Sequence, residues 1–111
     1  VGGKCSITVV VNWMCEGPAK VYGVEKKGSI IEGYDADLTL VDLETHRVIS
    51  DEDTWTKVGW TPYAGRELTG WPIYTIVDGE IVHRREVGGS LKGISVAEPG
   101  STGRVLKFNQ F

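Results

Sequence analysis

Ile73-Tyr-Thr-Ile-Val77, then Asp78-Gly79, then Glu80-Ile-Val-His-Arg84 is the stretch on which the fold class turns. Two short apolar runs flank an Asp-Gly pair. Glycine tolerates positive φ at no steric cost and aspartate nearly so, which makes this pair a preferred two-residue hairpin turn. The spacing predicts an antiparallel hairpin with Ile76 opposite Ile81 and Tyr74 opposite His83 on one face. Thr75, Val77 and Val82 fall on the other.

Working outward, Asp37-Leu-Thr-Leu-Val-Asp-Leu43 reads as a strand with apolar residues on both faces, as in the core of a sandwich. Arg47–Ser50 reads as a second short strand. Asp51-Glu52-Asp53 can open a helical turn running through Trp55 and Val58, since acidic groups favour a first turn. Gly59–Gly65 is a turn-rich loop. On the far side of the hairpin the chain is rich in Gly and Ser until Arg104-Val-Leu-Lys-Phe108, a candidate last strand. Toward the N-terminus, Ser6–Cys15 fits helix and strand templates equally by its apolar spacing. Ser6 as an N-cap tips the reading to helix. Glu16-Gly17 is expected to break that run. Pro18–Tyr22 then forms a second short helix, stopped by Gly23.

The composition narrows the classes. The chain has 111 residues, enough for one domain or a piece of one and too few for a complete (β/α)8 barrel, which needs on the order of 200 or more. Fifteen glycines are about twice the usual share of roughly 7%, which suits a protein of turns and short strands. A net charge of −3 argues against non-specific nucleic-acid binding, and no apolar run is long enough to cross a membrane as a helix. A chain of this length can bury roughly two thirds of its unfolded surface, so its length allows a core without disulfides. Cys5 and Cys15 are read as buried or half-buried free thiols in a reducing, cytoplasmic setting. No basic segment followed by an apolar one opens the chain, so no secretory leader is read there. Val1 is read as a cut or trimmed start, or as the first residue after an omitted disordered end.

Catalytic and ligand patterns are scarce. His46 and His83 stand 37 positions apart, with no His-x-His, His-Glu-x-x-His or paired Cys-x-x-Cys. His46 is expected to be solvated in a turn, and His83 to be structural, beside Tyr74 and isoleucines. There is no Gly-x-Ser-x-Gly elbow. Gly88–Gly93 has neither the Walker spacing nor the dinucleotide fingerprint. Asp35, Asp37 and the acidic run 51–53 are read as caps or solvated faces. Trp13, Trp55, Trp60 and Trp71 are expected in a core or a domain interface rather than as a stacking platform.

Two stretches carry a family resemblance. Gly33-Tyr-Asp-Ala-Asp-Leu-Thr-Leu-Val-Asp42 resembles the Gly-x-x-Ala-Asp, three hydrophobic residues, Asp signature near the C-terminus of metal-dependent amidohydrolases. Pro18-Ala-Lys-Val-Tyr-Gly23 is similar to the Pro-Ala-x-x-Phe/Tyr-Gly segment that precedes it. Gly59-Trp-Thr-Pro-Tyr-Ala-Gly65 followed by Gly70-Trp-Pro-Ile-Tyr-Thr-Ile-Val-Asp-Gly79 resembles dihydroorotases in particular, though allantoinases and dihydropyrimidinases share parts of it. The resemblance covers residues 4–86.

The resemblance implies a mainly β chain with short N-terminal helices. Residues 1–23 would be the last helix region of a (β/α)8 barrel that is otherwise absent, and residues 24–111 the C-terminal part of the composite β-sandwich. The family hydrolyses cyclic amide C–N bonds. For dihydroorotases the reaction is the zinc-assisted opening of dihydroorotate in pyrimidine biosynthesis. The family's metal ligands and catalytic aspartate lie on barrel strands, so this chain is expected to hold no catalytic, cofactor-binding or metal residue and no cofactor of its own. Thr61-Pro62-Tyr63 is expected to be a packed linker; the other reading takes it toward the barrel mouth. Expected partners are a second copy or the missing barrel portion, with no nucleic acid and no membrane. The other reading kept open is a free-standing, non-catalytic β module that binds a partner subunit or a small ligand through its aromatic residues.

Overall fold

The computed structural model describes residues 3–85, 94–95 and 103–109. They belong to two compact units, one of residues 1–36 with 103–111 and one of residues 37–102. The chain is mainly β, with short helices at its N-terminus.

The first unit opens with helix α1 (Ile7–Val11), a π-helical segment (Asn12–Glu16) and helix α2 (Gly17–Tyr22). Ser6 is the N-cap: its Oγ accepts the Val9 N–H at 3.3 Å. Gly17 does not break the helix; it holds right-handed helical angles, φ −58° and ψ −55°. Pro18 explains the outcome. A proline inside an α-helix drives its ring against the carbonyl four residues back. Here the turn before Pro18 is widened, with the Gly17 N–H reaching back to the Asn12 carbonyl, so the chain swells instead of stopping. Gly23 ends α2 in the left-handed region at φ 62°. The segment after it folds back onto the helix. The Val24 N–H donates to the Ala19 carbonyl at 2.9 Å. Lys27 pairs with Asp35 at 3.1 Å. Gly28 presses so closely on the helix that a Cβ there would lie 2.7 Å from the Ala19 Cβ and the Cys15 carbonyl oxygen.

The expected strand at Arg104–Phe108 reduces to one antiparallel bridge, Val24 with Phe108. The Glu25 N–H donates to the Lys107 carbonyl at 2.9 Å and the Asn109 N–H to the Gly23 carbonyl at 2.7 Å.

The second unit is an antiparallel sheet in the order β1 (Leu38–Val48), β2 (Glu67–Val77), β3 (Glu80–Arg84), β4 (Ile94–Ser95). The hairpin forms across Asp78-Gly79, with Ile76 opposite Ile81. Tyr74, however, faces Arg84, and His83 faces Thr75. A β-bulge between Thr75 and Ile76 slips the register by one, because Val82 enters β3 as an extra residue. The short pairing of β3 with β4 gives no sign of itself in sequence. Gly88–Gly93 lies outside the described residues.

The hairpin gives a first test. Gly79 sits at φ 83° with nothing within 4 Å of where a Cβ would be, so the cost of Gly79→Val is backbone strain alone. We expect a loss of about 1–2 kcal/mol, read as faster amide exchange at Val77 and Glu80. Unchanged exchange would show that the turn tolerates a branched residue.

β1 is one strand where the sequence suggests two, and it stops at Val48. Asp42 pairs with Trp71 and His46 with Thr69, so residues 43–45 on β1 oppose Gly70 alone. β1 and β2 thus continue on both sides of a three-residue bulge. The acidic run makes a single 3₁₀ turn, Asp51–Asp53, and does not extend through Trp55 and Val58. Thr54 leaves it in extended conformation.

The described residues form no extensive core. Among the described residues only Ala19, at 9% exposure, is buried. Leu40, Val41 and Leu43 are exposed, although they carry the pattern of a strand covered on both faces. That pattern calls for a second layer, and the described strands of this unit form one sheet.

Candidate functional site

The residues singled out by the 33–42 motif turn out to hold strands together. Asp37, just before β1, reaches 41 positions along the chain: its Oδ1 accepts the Asp78 N–H at 2.7 Å. One motif carboxylate thereby ties the start of β1 to the tip of the hairpin. Asp42 is the other. Its Oδ1 accepts the Glu44 N–H at 2.9 Å and the Thr45 N–H at 3.3 Å, and its Oδ2 accepts the Thr45 hydroxyl at 2.6 Å. These bonds take up backbone donors that the bulge withdraws from the ladder. Gly70 completes the arrangement from β2 at φ 88°, where a Cβ would lie 3.9 Å from the Asp42 carbonyl oxygen.

The Thr45 hydroxyl, followed by the Glu44 N–H, holds the Asp42 carboxyl below its ordinary range. A depressed carboxyl contributes stability that is complete above its unfolded value, about 3.9. That contribution is lost as pH falls through the lower folded value. We therefore expect Asp42→Asn to destabilise the sheet at neutral pH and to approach the wild type as the pH falls through the lowered value of the Asp42 carboxyl. Denaturation midpoints measured across pH 2–7 check this, and a pH-independent gap would count against it.

The loop from Ile49 to Arg66 is tied at its neck: the Ile49 N–H donates to the Arg66 carbonyl and the Gly65 N–H to the Ile49 carbonyl, both at 2.9 Å. Inside it, Asp51 Oδ1 accepts the Thr61 N–H at 2.9 Å. Asp53 Oδ2 accepts the Ser50 N–H at 2.8 Å and the Ser50 hydroxyl at 3.0 Å. The Thr61-Pro62-Tyr63 segment is a surface turn with Tyr63 exposed, not a packed linker. Its Tyr63 ring stands 5.6 Å from the Arg66 guanidinium.

Trp55 from this loop meets His83 edge-on, 6.2 Å between centroids. The ring neighbour of His83 is thus a tryptophan, and its strand neighbour is Thr75 in place of Tyr74. Arg85 lies 5.4 Å over the Trp71 ring and donates from a terminal guanidinium nitrogen to the Pro72 carbonyl at 3.3 Å. Desolvation first, then the nearby Arg47, lower its pKa, against the attraction of Asp53; an arginine stays charged regardless. Neither contact has a local signal: the first brings the Trp55 loop to β3 and the second joins residues 13 and 14 positions apart across the hairpin. Trp13, Trp55 and Trp60 are exposed and Trp71 is half-buried, so the tryptophans do not form a core within the chain.

None of this is a metal centre. His46 is not in a turn; it lies on β1, exposed, with Nδ1 2.8 Å from the Thr69 hydroxyl. His83 pairs with Thr75. Those partners are six positions apart on β2, which at about 3.3 Å per residue sets the histidines roughly 20 Å apart. Cys5 is half-buried ahead of the helix. Cys15 is exposed on the π segment, where the sequence predicts a buried or half-buried thiol. Among the described residues no group of three His, Cys, Asp or Glu side chains is placed to hold a metal ion. A zinc ion of the kind the family resemblance implies therefore does not fit the donors present. Among the described residues no helix is long and apolar enough to cross a membrane.

Comparison with known proteins agrees with the motifs. Residues 1–82 match the amidohydrolase family. A dihydroorotase from Methanothermobacter thermautotrophicus is 43% identical over 83 residues, covering 74% of this chain and 19% of that protein. A dihydroorotase from Pyrococcus furiosus is 36% identical over 105 residues, covering 94% and 25%. Among solved structures, an L-hydantoinase (dihydropyrimidinase) from Arthrobacter aurescens superposes with a TM-score of 0.75 at 32% identity, over 87% of this chain and 20% of that one. The chain thus spans about a fifth to a quarter of the relatives' length. The match takes in the helical segment as well as the sheet, which does not support a free-standing β module. This chain belongs to the amidohydrolase family.

Proposed function

We propose that this chain is the C-terminal scaffold of a dihydroorotase-like cyclic amidohydrolase and carries none of its catalytic groups. In this reading α1, the π segment and α2 are the last helix of a (β/α)8 barrel, and residues 24–111 are one share of a composite β-sandwich. The parent activity is hydrolysis of the ring amide of dihydroorotate in the cytoplasm, during pyrimidine biosynthesis. The zinc and its ligands belong to the remainder of the enzyme.

One observation carries the reading: the apolar face of the sheet is only half-buried or exposed and that of the helix is exposed, in a chain that matches only part of its relatives. Residues directly opposite in an antiparallel sheet share a face. Leu38, Ile76 and Ile81 therefore share a face with Leu40 and Tyr74. The opposite face carries Thr39, Thr75 and His83, and the Trp55 loop lies over it at His83. On the helix, Ile7, Val11, Trp13 and Met14 are 50–75% exposed. Apolar surface of this extent is seldom left to water, and the remainder of an amidohydrolase polypeptide is its occupant. A chain kept apart from that remainder is expected to cover the same surfaces with a second copy.

The test is reconstitution. The chain is co-expressed with the portion of the Methanothermobacter dihydroorotase that precedes the matched segment. The two are expected to co-purify and to open dihydroorotate in a chelator-sensitive manner. Separate elution would overturn the scaffold reading. Co-purification with activity on hydantoins or dihydropyrimidines, and none on dihydroorotate, would overturn the substrate.

A further inference from the structure

We draw no further inference here: the strongest candidate, the apolar sheet face carrying Leu38, Leu40, Tyr74, Ile76 and Ile81, is the surface already given to the remainder of an amidohydrolase polypeptide, and nothing among the described residues shows what else covers it.

Discussion

Gly28→Ala is expected to loosen the helical unit far more than any other single methyl group added to a described glycine. Two costs combine. At φ 86° a side chain is strained whatever the space around it. The new Cβ would also lie 2.7 Å from both the Ala19 Cβ and the Cys15 carbonyl oxygen, and 3.2 Å from the Cys15 carbonyl carbon. Two of those atoms are backbone and the third is a methyl, so no flexible side chain can swing away. Strain and overpacking together put the loss at about 2–4 kcal/mol. Amide exchange along α2 should speed up roughly 30-fold to several hundred-fold, at 1.4 kcal/mol per tenfold. Gly33→Ala is the control. Gly33 has nearly the same φ, 88°, with nothing within 4 Å of a Cβ, so it isolates the backbone term of about 1 kcal/mol. Equal effects at the two positions would show that Gly28 matters for its φ alone and that its contact with the helix does not.

The chain purified alone is expected to bind no stoichiometric zinc and to show no turnover of dihydroorotate. A catalytic zinc needs three protein ligands held around it, mostly His with Cys or carboxylate. His46 and His83 stand roughly 20 Å apart along the sheet by strand spacing. Cys5 precedes the N-cap and Cys15 lies near the end of the π segment, so two turns or more of helix, on the order of 10 Å, stand between them. Carboxylates such as Asp37 and Asp42 are already engaged with backbone donors, and alone they suit harder cations. Pairing two copies supplies more of the same side chains without a frame to converge them. Elemental analysis after zinc loading and a ring-opening assay at high protein concentration decide the matter. One zinc per chain with chelator-sensitive turnover would sink the scaffold reading.

How much of the fold was legible in the sequence depends on the range of each interaction. Ser6, Gly23 and Asp78-Gly79 act within a few residues of themselves, and each does in the structure what its chemistry predicts. The Val82 slip, the joining of β1 across its bulge and the grip of Asp37 on Asp78 are different. Each depends on how distant segments meet, so no local window contains it. Pro18 stands in the first turn of α2 as its chemistry predicts; the break expected at Glu16-Gly17 does not occur, because a helix can answer a proline by widening as well as by ending. The run at 38–43, apolar on both faces, is a strand as read; the layers that would cover its two faces are not among the described residues. For the candidate site, the motif marked Asp37, Asp42 and Gly70 as positions that matter. Their work as ties and spacers became visible only with the partners in place.

The bulge at residues 43–45 has a consequence for handling the protein. β1 lies at the outside of the sheet order, and an uninterrupted outer strand of eleven residues is a template on which foreign strands add and fibrils start. The bulge cuts that template into a run before Asp42 and a shorter one from His46 to Val48, offset by the extra residues between them. A straight incoming strand can match one piece but not both. Clumping of the separated chain should therefore be amorphous, through its greasy faces, and not fibrillar through its rim.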